Sequence, residues 1–125
     1  MIIGIGLDLV DVGRIDTAAQ RLDGRFLERV FTAEEIAYCS EKKTAALHFA
    51  GRFAAKEACA KALGCGIGAQ AGFQEMEVVR DAAGKPGLKL CGAAAKHAEA
   101  LGVTRIFLTI THTDDKAAAV VVLEG

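Results

Sequence analysis

Residues 52–61 read RFAAKEACAK, and this alanine-rich run carries four charges where a plain buried helix would carry none. At about 100° per residue, Ala50, Ala54 and Ala58 fall on one stripe with Leu47 and Phe53. Glu57 and Lys61 land inside that stripe, while Arg52 and Lys56 point elsewhere. A carboxylate and an ammonium on the apolar side of a helix are costly to desolvate unless something at that surface needs them. The stretch therefore marks both a central helix, expected from about Thr44 to Leu63, and a candidate site.

The helix is expected to stop at Gly64, where GCGIGAQAG forms a glycine-rich loop. Upstream, Phe31-Thr-Ala-Glu-Glu35 opens a helix with a Thr-x-x-Glu capping box. Before it a helix is expected from about Val12 to Leu22, broken near Asp23-Gly24. The N-terminal IIGIGLDLV alternates with period two, with Ile3, Ile5, Leu7 and Leu9 on one face and Gly4, Gly6 and Asp8 on the other, which reads as a strand with one emptied face. Downstream, residues 75–80 (EMEVVR) and 87–90 (GLKL) read as a hairpin around DAAGKP, with the chain's one proline placed in the turn. Cys91 to Leu101 follows as a short helix. RIFLTIT and KAAAVVVLE are strands joined at His112-Thr-Asp-Asp115. The expected order is β-α-α-α-β-β-α-β-β, an α+β domain with a largely antiparallel sheet.

At 125 residues and 52% hydrophobic content, the chain is one domain, residues 1–125, with its own core. A net charge of −1 supplies no global basic field, which argues against nucleic acid as the partner. No apolar run approaches the ~20 residues of a membrane span, and MIIGIGLDLVD lacks a basic leader region, so no membrane partner and a cytoplasmic location are expected. Cys39, Cys59, Cys65 and Cys91 form no CxxC pair and have no histidine at zinc-finger spacing, and they read as small buried hydrophobes kept reduced.

Several side chains fit both a chemical and a structural role. Asp8 shares its strand face with Gly4 and Gly6, which lets a ligand or another backbone approach; it also fits a strand-end turn residue. Glu57 and Lys61, spaced i, i+4, fit a solvated helix pair, although the apolar stripe around them favours a site. Two carboxylates from different elements, with phosphate oxygens and water, suit Mg²⁺, and a lysine beside them can meet phosphate charge. GCGIG matches neither a Walker A loop nor a Rossmann fingerprint, and its glycines also fit a simple helix cap. Arg14, Arg21 and Arg25, with Arg29 close by, fit either an ordinary helix surface or a docking strip for an acidic partner. His48 and His97 lie in helical patterns and read as structural or solvated. His112 ends a strand in a polar turn, where it can donate to a phosphate or relay a proton.

Taken together, GIGLDLVDVGRI at 4–15, FTAEE at 31–35, AGRFAAKEACAKALGCG at 50–66, DAAGKPGLKL at 81–90 and ITHTDDKAAAVVV at 110–122 resemble the holo-acyl-carrier-protein synthases, the small trimeric 4′-phosphopantetheinyl transferases. The resemblance covers the whole chain. It implies the fold of that family, a largely antiparallel sheet packed with a long central helix, assembled as a homotrimer with sites between subunits. It also implies Mg²⁺-dependent transfer of the phosphopantetheine arm from coenzyme A to a serine of apo acyl carrier protein, releasing adenosine 3′,5′-bisphosphate. On this basis Asp8 and Glu57 are the metal ligands. Glu57, Lys61 and His112 are the catalytic set, and Arg52, Lys61, Gly64, Gly66, Pro86 and His112 bind the coenzyme. Arg14 meets the carrier, and the strip read from the residues adds Arg21 and Arg25 to that partner surface. Glu57 is the first choice of base for the serine proton, and a hydroxide at the metal competes with it. Thr111 stands where many relatives carry serine, and Phe73 or Met76 where many carry tryptophan. The alternatives are a non-catalytic trimeric module that holds coenzyme A or a nucleotide, and a Mg²⁺-dependent nucleotide hydrolase.

Overall fold

The structure, a computed structural model, describes residues 1–21 and 24–125. In chain order these are β1 (Ile2–Asp11), α1 (Val12–Ala19), α2 (Arg25–Val30), α3 (Ala33–Ser40), α4 (Ala45–Ala62), a 3-10 turn (Phe73–Glu75), β2 (Met76–Arg80), β3 (Pro86–Leu90), α5 (Gly92–Leu101), β4 (Arg105–His112) and β5 (Lys116–Glu124). Every strand pairing is antiparallel. The expected α+β class holds, but the strands form two sheets: β1-β5-β4, and the separate hairpin β2-β3. Helix α2 was not expected, because six residues are too short to display a helical period. It opens at Gly24, whose φ of 63° is left-handed. Leu22 and Asp23, where the first helix was expected to end, lie outside the described residues.

Helix α4 packs across β1 and β5, and the glycines of β1 set how close it comes. A Cβ on Gly6 would stand 1.7 Å from the Ala58 carbonyl oxygen, and one on Gly4 would stand 2.0 Å from that of Ala62. What the emptied face admits is thus the backbone of α4. The opposite face of β1 is left outward, and Ile5, Leu7 and Leu9 are 62%, 60% and 64% exposed. In β5, Ala117, Ala119, Val121 and Leu123 are buried. Ala118, Val120 and Val122 alternate with them, paired with Leu9, Leu7 and Ile5 of β1. Phe107 of β4 pairs with Val122, so the outer face of the sheet is an apolar surface.

The stripe drawn on α4 needs correction. The helix is buried nearly all round, and its fully buried charge is Lys56, not Glu57 or Lys61. Lys56 Nζ pairs with Glu35 Oε1 at 2.8 Å and donates to the carbonyls of Phe73 at 2.8 Å and Met76 at 3.0 Å. A helical wheel assigns one face to the core, but α3 and β2 cover a second face of α4. The capping box at Thr32 is present: the Thr32 hydroxyl accepts from Glu35 N at 3.2 Å and Glu35 Oε1 accepts from Thr32 N at 2.9 Å. Glu35 Oε2 also accepts from Val78 N at 2.8 Å, tying α3 to β2.

Two smaller expectations also change. Pro86 opens β3 opposite Arg80 rather than sitting in the turn, a first-strand position that costs no ladder hydrogen bond. The turn instead rests on Asp81 Oδ1, which accepts from Ala83 N and Lys85 N, each at 2.9 Å. Cys39 and Cys59 are buried as expected, and burial pushes their thiols up to about 11 and about 12. Cys65 is half-buried and Cys91 exposed. No helix among the described residues is long and apolar enough to cross a membrane.

Because a Cβ at Gly6 meets a backbone oxygen and not a flexible side chain, Gly6→Ala is expected to cost about 2–3 kcal/mol. Gly13, in α1, has nothing within 4 Å of its would-be Cβ, and Gly13→Ala is expected to stabilise by about 0.5–1 kcal/mol. Urea denaturation checks both. A Gly6→Ala protein as stable as wild type would show that the strand and helix are not held at this distance.

Candidate active site

Asp8 lies two residues beyond Gly6 on the same strand face, so the approach of β1 to α4 carries its carboxylate to the helix flank that bears Glu57 and Lys61. Lys61 Nζ donates to Asp8 Oδ1 at 3.0 Å and to the Leu7 carbonyl at 3.1 Å. Asp8 Oδ2 is buried with no hydrogen-bond partner. Burial pushes the Glu57 carboxyl above its ordinary range, the charge of Asp8 pushes it further, and Lys61 opposes both. Two carboxylates are thus close enough to repel, one of them with an orphaned oxygen, beside a single ammonium. These residues fit a hard divalent cation such as Mg²⁺, which takes carboxylate oxygens from two elements and fills its other positions with substrate oxygens and water.

Arg52 and His112 form a second group. With Leu47, His48, Gly51 and Ile110 they line a small depression where α4 meets β4. Arg52 is only 7% exposed and its Nε has no acceptor. Arg52 and Glu57 are five residues apart, or about 140° around the helix, so the two groups face different directions. Pro86 belongs near the Arg52 side: it pairs with Arg80, and the Arg80 and Arg52 guanidiniums lie over one ring, that of Tyr38. Gly64 and Gly66, with φ of 81° and 68°, reverse the chain after α4. Gly66 N donates to the Ala60 carbonyl at 3.1 Å, so capping accounts for both glycines locally. His97 is structural, its Nε2 lying 2.9 Å from the Leu63 carbonyl. His48 Nδ1 is 3.0 Å from the Thr44 carbonyl.

The arginines gather although α1 stops at Ala19. Arg14 and Arg21 line one shallow depression with Gly13, Thr17 and Ala18; Arg21 and Arg25 line another with Ala18, Phe26 and Arg29. Ala18 and Arg21 are common to both, so the strip is continuous across the break. Sequence reasoning missed Tyr38 and its neighbours around Arg52. The one signal in the sequence was that Tyr38 is the chain's single tyrosine.

The mutual influence of the acids can be read without any ligand. In Asp8→Asn the Glu57 carboxyl is expected to titrate lower than in wild type, because a repelling charge is gone; in Lys61→Met it is expected to titrate higher. Carbon-detected NMR titration of that carboxyl in metal-free protein measures this. An unchanged Glu57 titration in Asp8→Asn would mean the two acids do not share a site.

The model of the 4′-phosphopantetheinyl transferase superfamily matches residues 4–121. The chain is 48% identical over 125 residues to the holo-[acyl-carrier-protein] synthase of Solidesulfovibrio magneticus, covering 100% of each. Its fold is similar to that of the Neisseria meningitidis holo-[acyl-carrier-protein] synthase, with a TM-score of 0.91 at 36% identity over 100% of both chains. It is also similar to the Helicobacter pylori enzyme solved in complex with coenzyme A, with a TM-score of 0.85 at 32% identity over 96% of this chain and 99% of that one. With the match running along nearly all of its length, the chain belongs to the 4′-phosphopantetheinyl transferase superfamily.

Proposed function

We propose that this chain is a holo-acyl-carrier-protein synthase: it transfers the 4′-phosphopantetheine arm of coenzyme A to a serine of apo acyl carrier protein and releases adenosine 3′,5′-bisphosphate. The observation that carries the reading is the Asp8, Glu57 and Lys61 cluster, brought together where Gly4 and Gly6 let α4 lie directly against β1. In the reaction the serine oxygen bonds to the phosphorus bearing the arm, and the bond from that phosphorus to the bisphosphate oxygen breaks. Glu57 takes the serine proton, as the carboxylate that stands beside both Asp8 and Lys61. Lys61, anchored on Asp8, presents its ammonium to the charge that develops on the leaving bisphosphate. Asp8 and Glu57 would hold Mg²⁺, whose chemistry there is to screen the pyrophosphate charge. Arg52, Gly64, Gly66, Pro86 and His112 grip the nucleotide end, and Arg14, Arg21 and Arg25 steer the acidic carrier. Such a reaction serves fatty-acid biosynthesis in the cytoplasm.

Within one chain the two groups of site residues face apart. The complete site therefore takes Asp8, Glu57 and Lys61 from one copy and Arg52, Pro86 and His112 from the next, in a cyclic homotrimer with three shared sites. The apolar outer sheet face supports this assembly, since a surface of Ile5, Leu7, Leu9 and Phe107 is costly to leave in water.

Mass analysis of apo carrier protein incubated with the protein, coenzyme A and Mg²⁺ is the direct test, and the carrier is expected to gain the mass of one phosphopantetheine. An unmodified carrier with coenzyme A bound would favour the binding module, and free 4′-phosphopantetheine made without an acceptor would favour the hydrolase. In the same assay Arg14→Glu is expected to raise KM for the carrier about tenfold and leave KM for coenzyme A unchanged, an effect that high salt mimics in wild type.

Val120 and Val121 separate the trimer from the core. Val120→Asp, on the outer face, is expected to give folded, inactive monomers, whereas Val121→Asp, in the core, is expected to unfold the chain. Light scattering with circular dichroism distinguishes them. Full activity in a wild-type monomer would overturn the shared site.

A further inference from the structure

Tyr38 of α3 is half-buried, and three cations converge on it. Arg52 Cζ and Lys42 Nζ each lie 4.4 Å from the ring centroid, and Arg80 Cζ lies 4.9 Å from it. His48 meets the ring edge-on at 6.0 Å. Strong contacts of this kind occur about once in 70–80 residues, and here three share one ring. Their residues come from α3, the turn after it, α4 and β2, so the ring gathers them from separate parts of the chain. Among the described residues, no carboxylate lies within ion-pair distance of any of the three. Of the acids lining the adjoining cavity, Glu35 is engaged by Lys56, Glu77 accepts from the Thr32 hydroxyl at 2.6 Å, and Glu34 is exposed.

Like charges brought together without a carboxylate repel one another, and the ring's negative face offsets only part of that cost. An anion removes the rest. Arg52 is buried with an unpartnered Nε, and it faces two ways, toward Tyr38 and toward the depression that holds His48 and His112. Coenzyme A carries two anionic regions: the pyrophosphate, where the bond breaks, and the ribose 3′-phosphate, which is retained on the leaving group. With Asp8, Glu57 and Lys61 assigned to the first, the cations around Tyr38 match the second.

We propose that Tyr38 is a positioning residue for coenzyme A: its ring face fixes Arg52, with Lys42 and Arg80 alongside, in the orientation that meets the ribose 3′-phosphate, and thereby sets the preference for coenzyme A over its 3′-dephospho form. The inference rests on the coenzyme A reading above. It concerns the aromatic face and not the phenol hydroxyl.

The test is steady-state kinetics with coenzyme A and with 3′-dephospho-coenzyme A, using wild type, Tyr38→Phe, Tyr38→Leu and Arg80→Met. Tyr38→Phe keeps the face and is expected to stay within about twofold of wild type. Tyr38→Leu is expected to raise KM for coenzyme A about tenfold with kcat nearly unchanged, and to leave the dephospho substrate almost unaffected. Arg80→Met, at an exposed position, reads the same cluster without disturbing the core, and is expected to raise KM for coenzyme A about threefold; it decides the matter if Tyr38→Leu does not fold. An unchanged KM for coenzyme A in Tyr38→Leu, equal losses with both substrates, or a Tyr38→Phe protein as impaired as Tyr38→Leu would each overturn the proposal. If wild type leaves the carrier unmodified, the transfer reading fails separately, and calorimetric binding of the two coenzymes to the same four proteins still decides the role of Tyr38.

Discussion

The contact between β1 and α4 is backbone against backbone, and most of the molecule follows from it. No side chain fits where Gly4 and Gly6 lie on the carbonyls of Ala62 and Ala58. The strand therefore turns its bulky residues away from the helix, and Ile5, Leu7 and Leu9 become surface. The same contact places Asp8 at the flank of α4, within reach of Lys61 and close enough to Glu57 to disturb its ionisation. One steric constraint thus produces both the candidate acid pair and the apolar outer face. A larger residue at either glycine would push the acids apart as it pushed the elements apart.

The opposite side of α4 is held by the buried pair of Glu35 and Lys56. Burial drives the lysine's pKa down and Glu35 draws it back up. The pair is tolerable because almost every polar atom in it is engaged: Thr32 N and Val78 N donate to Glu35, and Lys56 donates to the carbonyls of Phe73 and Met76 as well as to the carboxylate. Such a pair adds little net stability over an apolar substitute, but breaking one half costs about 3–5 kcal/mol. That asymmetry fixes a single arrangement of α3, α4 and β2, and with it the bed on which Tyr38 and Arg52 lie.

Local signals were legible in the sequence. The capping box at Thr32, the alternation of β1, the hairpin and the end of α4 at Leu63 each depend on residues a few positions apart, and each is found where expected. Asp8, Glu57 and Lys61 were legible for a related reason, since small residues around a charge leave a mark that spacing can show. The failures share another cause. Choosing between Lys56 and Lys61 required knowing that a second layer covers α4, and one helical period cannot show two covered faces. The ring of Tyr38 gathers Lys42, Arg52 and Arg80, and no spacing in the sequence connects positions 38 and 80. Helix α2 was too short to announce itself.

Three charged residues of one helix thus have three fates, decided by what covers each. Lys56 is sealed under α3 and β2, and every proton it can donate is spoken for, so its role is architectural. Lys61 stands half in solvent on the Asp8 carboxylate, with its ammonium at the open flank of the helix. Arg52 is buried like Lys56 but, unlike it, lacks a carboxylate; an aromatic face and a row of other cations take its place. A buried cation satisfied by carbonyls and a carboxylate holds the fold, and one held by a ring with other cations beside it keeps a charge that no ion pair among the described residues offsets. The difference between them lies in the partners and not in the degree of burial, which is why exposure alone would have ranked Lys56 and Arg52 together.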